Sequence, residues 1–180
     1  MNSIQLPDFE INPISERDGW RLCDFISANE EHLKRFFPVT LASNLTPTLS
    51  ELFVAQKVLE FASGKEFLFT LKEPEYRKII GLIYVKEIDK VKNEAELAYC
   101  IGYAHKNKGY TSLAVKTISE WAFTQLKLEQ LRIIVHKSNI GSLKVAQNCG
   151  YLWNRTLIKA YTPPNEDPLD MELYVLENER

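Results

Sequence analysis

Three groups of residues in the sequence have the types and spacing to do chemistry. The first is the run Tyr99-Cys100-Ile101-Gly102-Tyr103-Ala104-His105-Lys106-Asn107-Lys108-Gly109-Tyr110-Thr111-Ser112, which reads as a strand, a short basic turn closed by glycine, and a helix start. The first N–H groups of a helix have no partner inside it, and its N-terminus carries about half a positive charge. Aimed at one point beside Lys106 and Lys108, such groups hold a phosphate, and the missing side chain at Gly109 lets a ligand approach the backbone. The same pattern also suits a solvated turn with a helix cap. It is not a Walker loop, because no Gly-Lys-Ser/Thr ends it, and not a dinucleotide fingerprint, because the turn holds one glycine.

The second group lies on the strand 94–101. Alternation puts Glu94, Glu96, Ala98 and Cys100 on one side and Ala95, Leu97, Tyr99 and Ile101 on the other. A carboxylate beside small residues on a mid-sheet strand is a candidate general base. Both glutamates also fit a solvated strand start, Glu94 at least as well; Glu96 lies deeper and is the better candidate. The third group is Asn139 and Ser142, three apart and so on one side of a first helical turn. Capping by Ser138 and Asn139 accounts for Asn139, whereas a cap does not need the Ser142 hydroxyl. His136, at a strand end, fits either a base or an imidazole bonded to a nearby carbonyl. Cys100 fits a small buried residue better than a nucleophile, since no histidine stands beside it in sequence. His32 and His105 read as exposed, and Trp20, Trp121 and Trp153 as packing residues.

The elements that must position these groups follow from the pattern. The sequence predicts strands at 9–13, 66–71, 78–86, 94–101, 131–136, 151–161 and 171–176. It predicts helices from Glu16, capped by Ser15; over 29–37, stopped by Pro38; from Thr48, three residues before Glu51, to Gly64; over 110–126; and from Ser138 to Gly150. The fourth helix carries Leu113, Ala114, Thr117, Ile118, Trp121 and Ala122 on its apolar face. This order predicts a mixed sheet with helices on both faces in one domain, 1–180, without repeats.

Bulk properties narrow the class. The chain has 180 residues, 45% hydrophobic and 26% charged, as in a globular protein with a full core. A net charge of −2 argues against nucleic-acid binding by charge. Cys23, Cys100 and Cys149 are odd in number and far apart, with no zinc or disulfide spacing, which fits a reducing cytoplasm. No basic segment followed by an apolar run opens the chain and no run is long enough to span a membrane, so neither a signal peptide nor membrane insertion is expected.

Together the motifs resemble the GNAT superfamily of acetyl-coenzyme A-dependent N-acetyltransferases, and more narrowly its ribosomal-protein N-terminal alanine and serine acetyltransferases. The matching residues are Glu96 and Tyr99, the loop Lys106-Asn107-Lys108-Gly109-Tyr110-Thr111, Asn139 with Ser142, and Cys149-Gly150-Tyr151. The resemblance implies an α/β (α+β) fold with a twisted, mostly antiparallel mixed sheet of about six to seven strands. It implies that Lys106, Asn107, Lys108, Gly109, Tyr110 and Thr111 bind the coenzyme A pyrophosphate. Tyr99, Cys100, Ile101, Asn139 and Ser142 would complete the cofactor site, Glu96 would be the base, and Ser142 would assist the leaving thiolate. Phe36, Phe37, Glu96 and His136 would line the acceptor groove. Acetyl-CoA and a primary amine, either a peptide N-terminus or a small molecule, are the implied partners, with no metal; homodimers are common in the same branch, and no local signal in the sequence bears on one. A non-catalytic module of the same fold is the alternative. Lys106 and Thr111 depart from the family's usual loop, and Ala146 stands where many members carry a tyrosine acid.

Overall fold

Strand-forming runs rich in β-branched and aromatic residues alternate with amphipathic stretches, and the chain follows that punctuation. The computed structural model describes residues 2–179. Eight strands form one sheet: β1 (Ile4–Gln5), β2 (Glu10–Pro13), β3 (Phe67–Lys72), β4 (Ile79–Asp89), β5 (Glu94–Ile101), β6 (Gln130–Val135), β7 (Leu152–Tyr161) and β8 (Leu169–Glu177). Their order is β1-β2-β3-β4-β5-β6-β8-β7. The pairs β1–β2, β2–β3, β6–β8 and β7–β8 are antiparallel, and β5–β6 is parallel. The helices are α1 (Gly19–Ala28), α2 (Glu30–Leu33), α3 (Pro38–Ala42), α4 (Pro47–Ser63), α5 (Tyr110–Gln125) and α6 (Ile140–Asn148). The expected mixed sheet is present. It has eight strands instead of six or seven, because Ile4–Gln5 adds a short edge strand against Glu10–Ile11.

The chain forms two compact units, one comprising the residues up to Tyr84 with Tyr99–Lys108, the other Val85–Ala98 with the residues from Gly109 onward. In the first unit Phe9, Ile11, Leu22, Ile26, Leu68, Phe69 and Leu82 are buried, and Phe61 meets the Phe67 and Phe69 rings edge-on at 4.9 and 5.3 Å. A charge pair sits in this apolar setting: Lys72 Nζ lies 2.6 Å from Asp18 Oδ1, and both side chains are under 5% exposed. Asp18 Oδ2 also accepts from the Ser15 N–H at 3.0 Å and from the Ser15 hydroxyl at 3.3 Å, so one carboxylate closes the turn before α1 and neutralises Lys72. Gly81 is required on β4, because a Cβ there would stand 2.8 Å from the Cys100 carbonyl oxygen.

Two helix starts differ from the sequence expectation, and proline is the reason in both. Pro38 does not stop a helix but opens α3 as its first residue. α4 is capped by Thr46 rather than Thr48: Thr46 is extended (φ −136°, ψ 155°), as a residue before proline prefers, and its Oγ1 accepts from the Leu49 N–H at 3.3 Å.

In the second unit the buried face of α5 is Ala114, Val115, Ile118, Ser119 and Ala122, rotated from the expected one; Leu113 is exposed. Ser119 can turn inward because its hydroxyl shares a 2.7 Å hydrogen bond with the buried Tyr151 phenol, which meets the cost of its polar group. Trp20 and Trp153 are more exposed than packing residues: both lie above 50%, and Trp153 Nε1 donates to Glu172 at 2.6 Å. Among the described residues no helix is long and apolar enough to cross a membrane.

Lys72→Met leaves the Asp18 charge buried without its cation, which costs about 3–5 kcal/mol. Urea unfolding of the variant is expected to show a lowered midpoint at an unchanged slope, the product of slope and midpoint falling by that amount.

Candidate functional site

Strand β5 carries the candidate base, and its alternation is as the sequence predicts: Ala95, Leu97 and Tyr99 are buried on one face, while Glu94 and Glu96 stand partly exposed on the other. β5 is registered with β6 over three residues, Glu94↔Gln130, Ala95↔Leu131 and Glu96↔Arg132. β6 itself stays paired with β8 over all six of its residues, from Gln130↔Glu177 to Val135↔Glu172. The parallel register therefore ends beside Glu96, and backbone groups that leave a ladder need another partner.

Glu96 is 14% exposed at its side chain and its Oε1 lies 3.0 Å from Lys86 Nζ on β4. Glu94 is engaged differently, by Arg132 Nη1 at 3.1 Å and Lys92 Nζ at 3.8 Å. Glu94 thus belongs to a charged strand start, whereas Glu96 stands where the register ends. Lys86 was not singled out by sequence reasoning. The alternation of β4 shows which side it takes, but not which β5 residue it meets, because register is invisible to a single strand.

The basic loop is built from left-handed residues. Tyr103–His105 form a 3₁₀ turn, Lys106 is extended, and Asn107 (φ 61°) and Gly109 (φ 79°) are left-handed. Gly109 caps α5, whose first backbone bond runs from the Leu113 N–H to the Gly109 carbonyl at 3.1 Å, so the amides of the first turn have no acceptor within the helix. A Cβ at Gly109 would meet nothing within 4 Å, so the loop is open on that side. Lys106 Nζ rests 4.8 Å above the Tyr103 ring. His105 is half-buried rather than exposed, with Nε2 3.7 Å from Glu73; burial and the Lys108 charge pull its pKa down.

In α6 the cap is Asn139 rather than Ser138: Asn139 Oδ1 accepts from the Ser142 N–H at 3.2 Å. This fixes Ser142 in the first turn through its backbone. Ser138 instead turns to His136, its hydroxyl 2.7 Å from Nδ1 and its N–H donating to the same nitrogen at 3.2 Å. His136 is therefore held by its own loop. The Cys149 thiol donates to the Ser112 carbonyl at 3.2 Å, tying the end of α6 to the first turn of α5. Ala146, in the tyrosine-acid position, is fully buried.

Burial pushes the Cys100 thiol up to about 12, so at neutral pH it is no thiolate nucleophile. Phe37 caps α3 and its ring lies 6.4 Å from that of Tyr84, while the Arg35 guanidinium covers Phe36 at 5.2 Å. The first unit thus carries Phe36, Phe37, Tyr99, Cys100, Ile101 and Lys106–Lys108. The second carries Glu96, Gly109, Tyr110, Thr111, His136, Asn139 and Ser142. Among the described residues no group of three or more His, Cys, Asp or Glu stands together to hold a metal.

Comparison with known proteins shows the family and the fold. The chain is 24% identical over 181 residues to the uncharacterized N-acetyltransferase p20 of Bacillus licheniformis, covering 98% of this chain and 96% of that one. Its fold matches the ribosomal-protein-S5-alanine acetyltransferase of Vibrio fischeri with a TM-score of 0.92 at 20% identity, over 98% and 97% of the two chains. It also matches the microcin C7 self-immunity acetyltransferase MccE, solved with acetyl-CoA and AMP, with a TM-score of 0.85 at 19% identity over 96% and 94%. The acetyltransferase (GNAT) domain model spans residues 9–152, most of the chain, and the protein belongs to the GNAT acetyltransferases.

Proposed function

We propose that the protein transfers the acetyl group of acetyl-CoA directly to a primary amine, either a protein N-terminus or a small amine. The observation that carries this reading is the early end of the β5–β6 register beside Glu96. A pantetheine arm is amide-bearing and extended, and the backbone of β5 beyond Glu96 is suited to pair with it as an added strand. Tyr99, Cys100 and Ile101 supply that backbone. The pyrophosphate is assigned to the amides of Lys106–Thr111, where two left-handed residues and the open side of Gly109 fit an anion. Asn139 keeps Ser142 in place through its cap.

Glu96 is the base. It removes the ammonium proton, directly or through water, and the neutral nitrogen attacks the thioester carbonyl carbon. The carbon–sulfur bond then breaks, the nitrogen's remaining surplus proton passes to the departing sulfur, and the Ser142 hydroxyl donates a hydrogen bond to that sulfur. Lys86 pairs with Glu96 and holds its carboxylate beside the end of the register. A buried, protonated Cys100 supports direct transfer over a thiol intermediate. Phe36, Phe37 and His136 are assigned to the acceptor groove. The Vibrio fischeri protein is named for an alanine acceptor on a ribosomal protein, and an alanine N-terminus is the first acceptor to test.

Acceptors are best screened by release of free coenzyme A thiol, using peptides that begin with alanine or serine and a polyamine. Turnover on one of them is expected; binding of acetyl-CoA with no transfer to any would sink the reading. Glu96→Gln is expected to lower kcat by about 10²–10⁴-fold with the calorimetric Kd for acetyl-CoA unchanged. An unaltered kcat removes Glu96 as the base.

Gly109→Ala has space for its methyl, but alanine at a left-handed φ is strained by about 1–2 kcal/mol. The free loop relaxes and binding must restore it, so Kd for acetyl-CoA is expected to rise about tenfold by calorimetry.

A further inference from the structure

Tyr84 is a buried phenol that the reaction above does not use. It stands on β4, 6% exposed, and its hydroxyl shares a 3.1 Å hydrogen bond with Thr40 Oγ1. Thr40 is the residue that α3 buries. A five-residue helix is too short to hold itself together, so its position depends on tertiary anchors. The anchors of α3 are polar: the Tyr84–Thr40 bond, and Asn44 Nδ2 donating to the Thr40 carbonyl at 2.8 Å. Phe37, which caps α3, sets its ring against Tyr84. The other end of the same segment is tied to the basic loop instead, where the Tyr103 N–H donates to Asn29 Oδ1 at 2.8 Å and His32 hydrogen-bonds the backbone of Ile101. The stretch from Asn29 to Asn44 is thus fastened at one end beside the loop assigned to the pyrophosphate and at the other by Tyr84.

We propose that Tyr84 is a positioning residue for the acceptor amine: through Thr40 it fixes α3, and with it the Phe36-Phe37 wall that receives the acceptor's first side chain. This rests on the acetyltransferase reading above and on Phe36 and Phe37 lining the acceptor groove. A phenol buried against a threonine costs stability unless paired, and the pairing makes the location of α3 all-or-none rather than graded. The consequence is selective. Loss of the bond loosens the acceptor wall and leaves the cofactor loop, held through Asn29, as it was.

The test uses whichever acceptor of the panel the wild-type protein turns over. Tyr84→Phe keeps the ring and removes the hydroxyl; Thr40→Val removes the partner, and Thr40→Ser keeps it. Tyr84→Phe and Thr40→Val are each expected to raise KM for the acceptor about fivefold, with the Kd for acetyl-CoA unchanged. The double variant is expected to match either single one, because both delete the same bond, and Thr40→Ser to behave as wild type. Hydrogen exchange at the Leu41 and Ser43 amides, which close α3, is expected to quicken in Tyr84→Phe by a larger factor than at the β6 amides. An acceptor KM in Tyr84→Phe equal to wild type, or a Kd for acetyl-CoA weakened by the same factor, overturns the proposal while the acetyltransferase reading stands. A wild-type protein silent on every acceptor removes that reading itself.

Discussion

β6 is paired on both of its edges over only part of its length. It is bound to β8 by six consecutive antiparallel pairs and to β5 by three parallel ones. Twist rotates successive strands relative to one another, and a parallel contact is the weaker of the two. The register with β5 ends beside Glu96, three pairs short of the one with β8. The candidate base stands where the ladder stops, and the strand beyond it has backbone groups suited to an extended, amide-bearing ligand.

Local chemistry then fixes the other parts at short range. The left-handed turn at Asn107 and Gly109 points the first turn of α5, and the Cys149–Ser112 bond ties that turn to the end of α6. Asn139 orders the first turn of α6. Each of these is an interaction between near neighbours or between two helix ends, and none needs a charge to be buried. The charged groups sit on strands instead, where Lys86 with Glu96 and Arg132 with Glu94 neutralise each other across the ladder.

This division explains what could be read from the chain. Strands, helix ends and the basic loop were legible because glycine, proline, capping residues and period-two alternation act within a few positions. The errors of detail came where two local signals competed. Pro47 outweighed the Thr48/Glu51 spacing as the marker of a helix start; the helix expected over 29–37 ends at Leu33, and Pro38, expected to stop it, opens the next one. The face of α5 was misjudged because Ser119 counts as polar until Tyr151 is known to meet it. The place of Glu96 on its strand and of Asn139 and Ser142 in the first turn of α6 follows from alternation and spacing, which carry no information on their roles. Lys86, Tyr84 and Thr40 were not legible, since each matters only through a partner on another element, and the partner is set by register and packing.

The Lys72–Asp18 pair has a consequence for how the chain finds its sheet. Side chains on a strand alternate, so sliding β3 by one residue against its neighbours would swing Lys72 to the opposite face and abandon Asp18 in an apolar interior. The stranded carboxylate adds the cost of a buried, unpaired charge to any such slip, so the pair favours the native alignment of β3 over its one-residue neighbours.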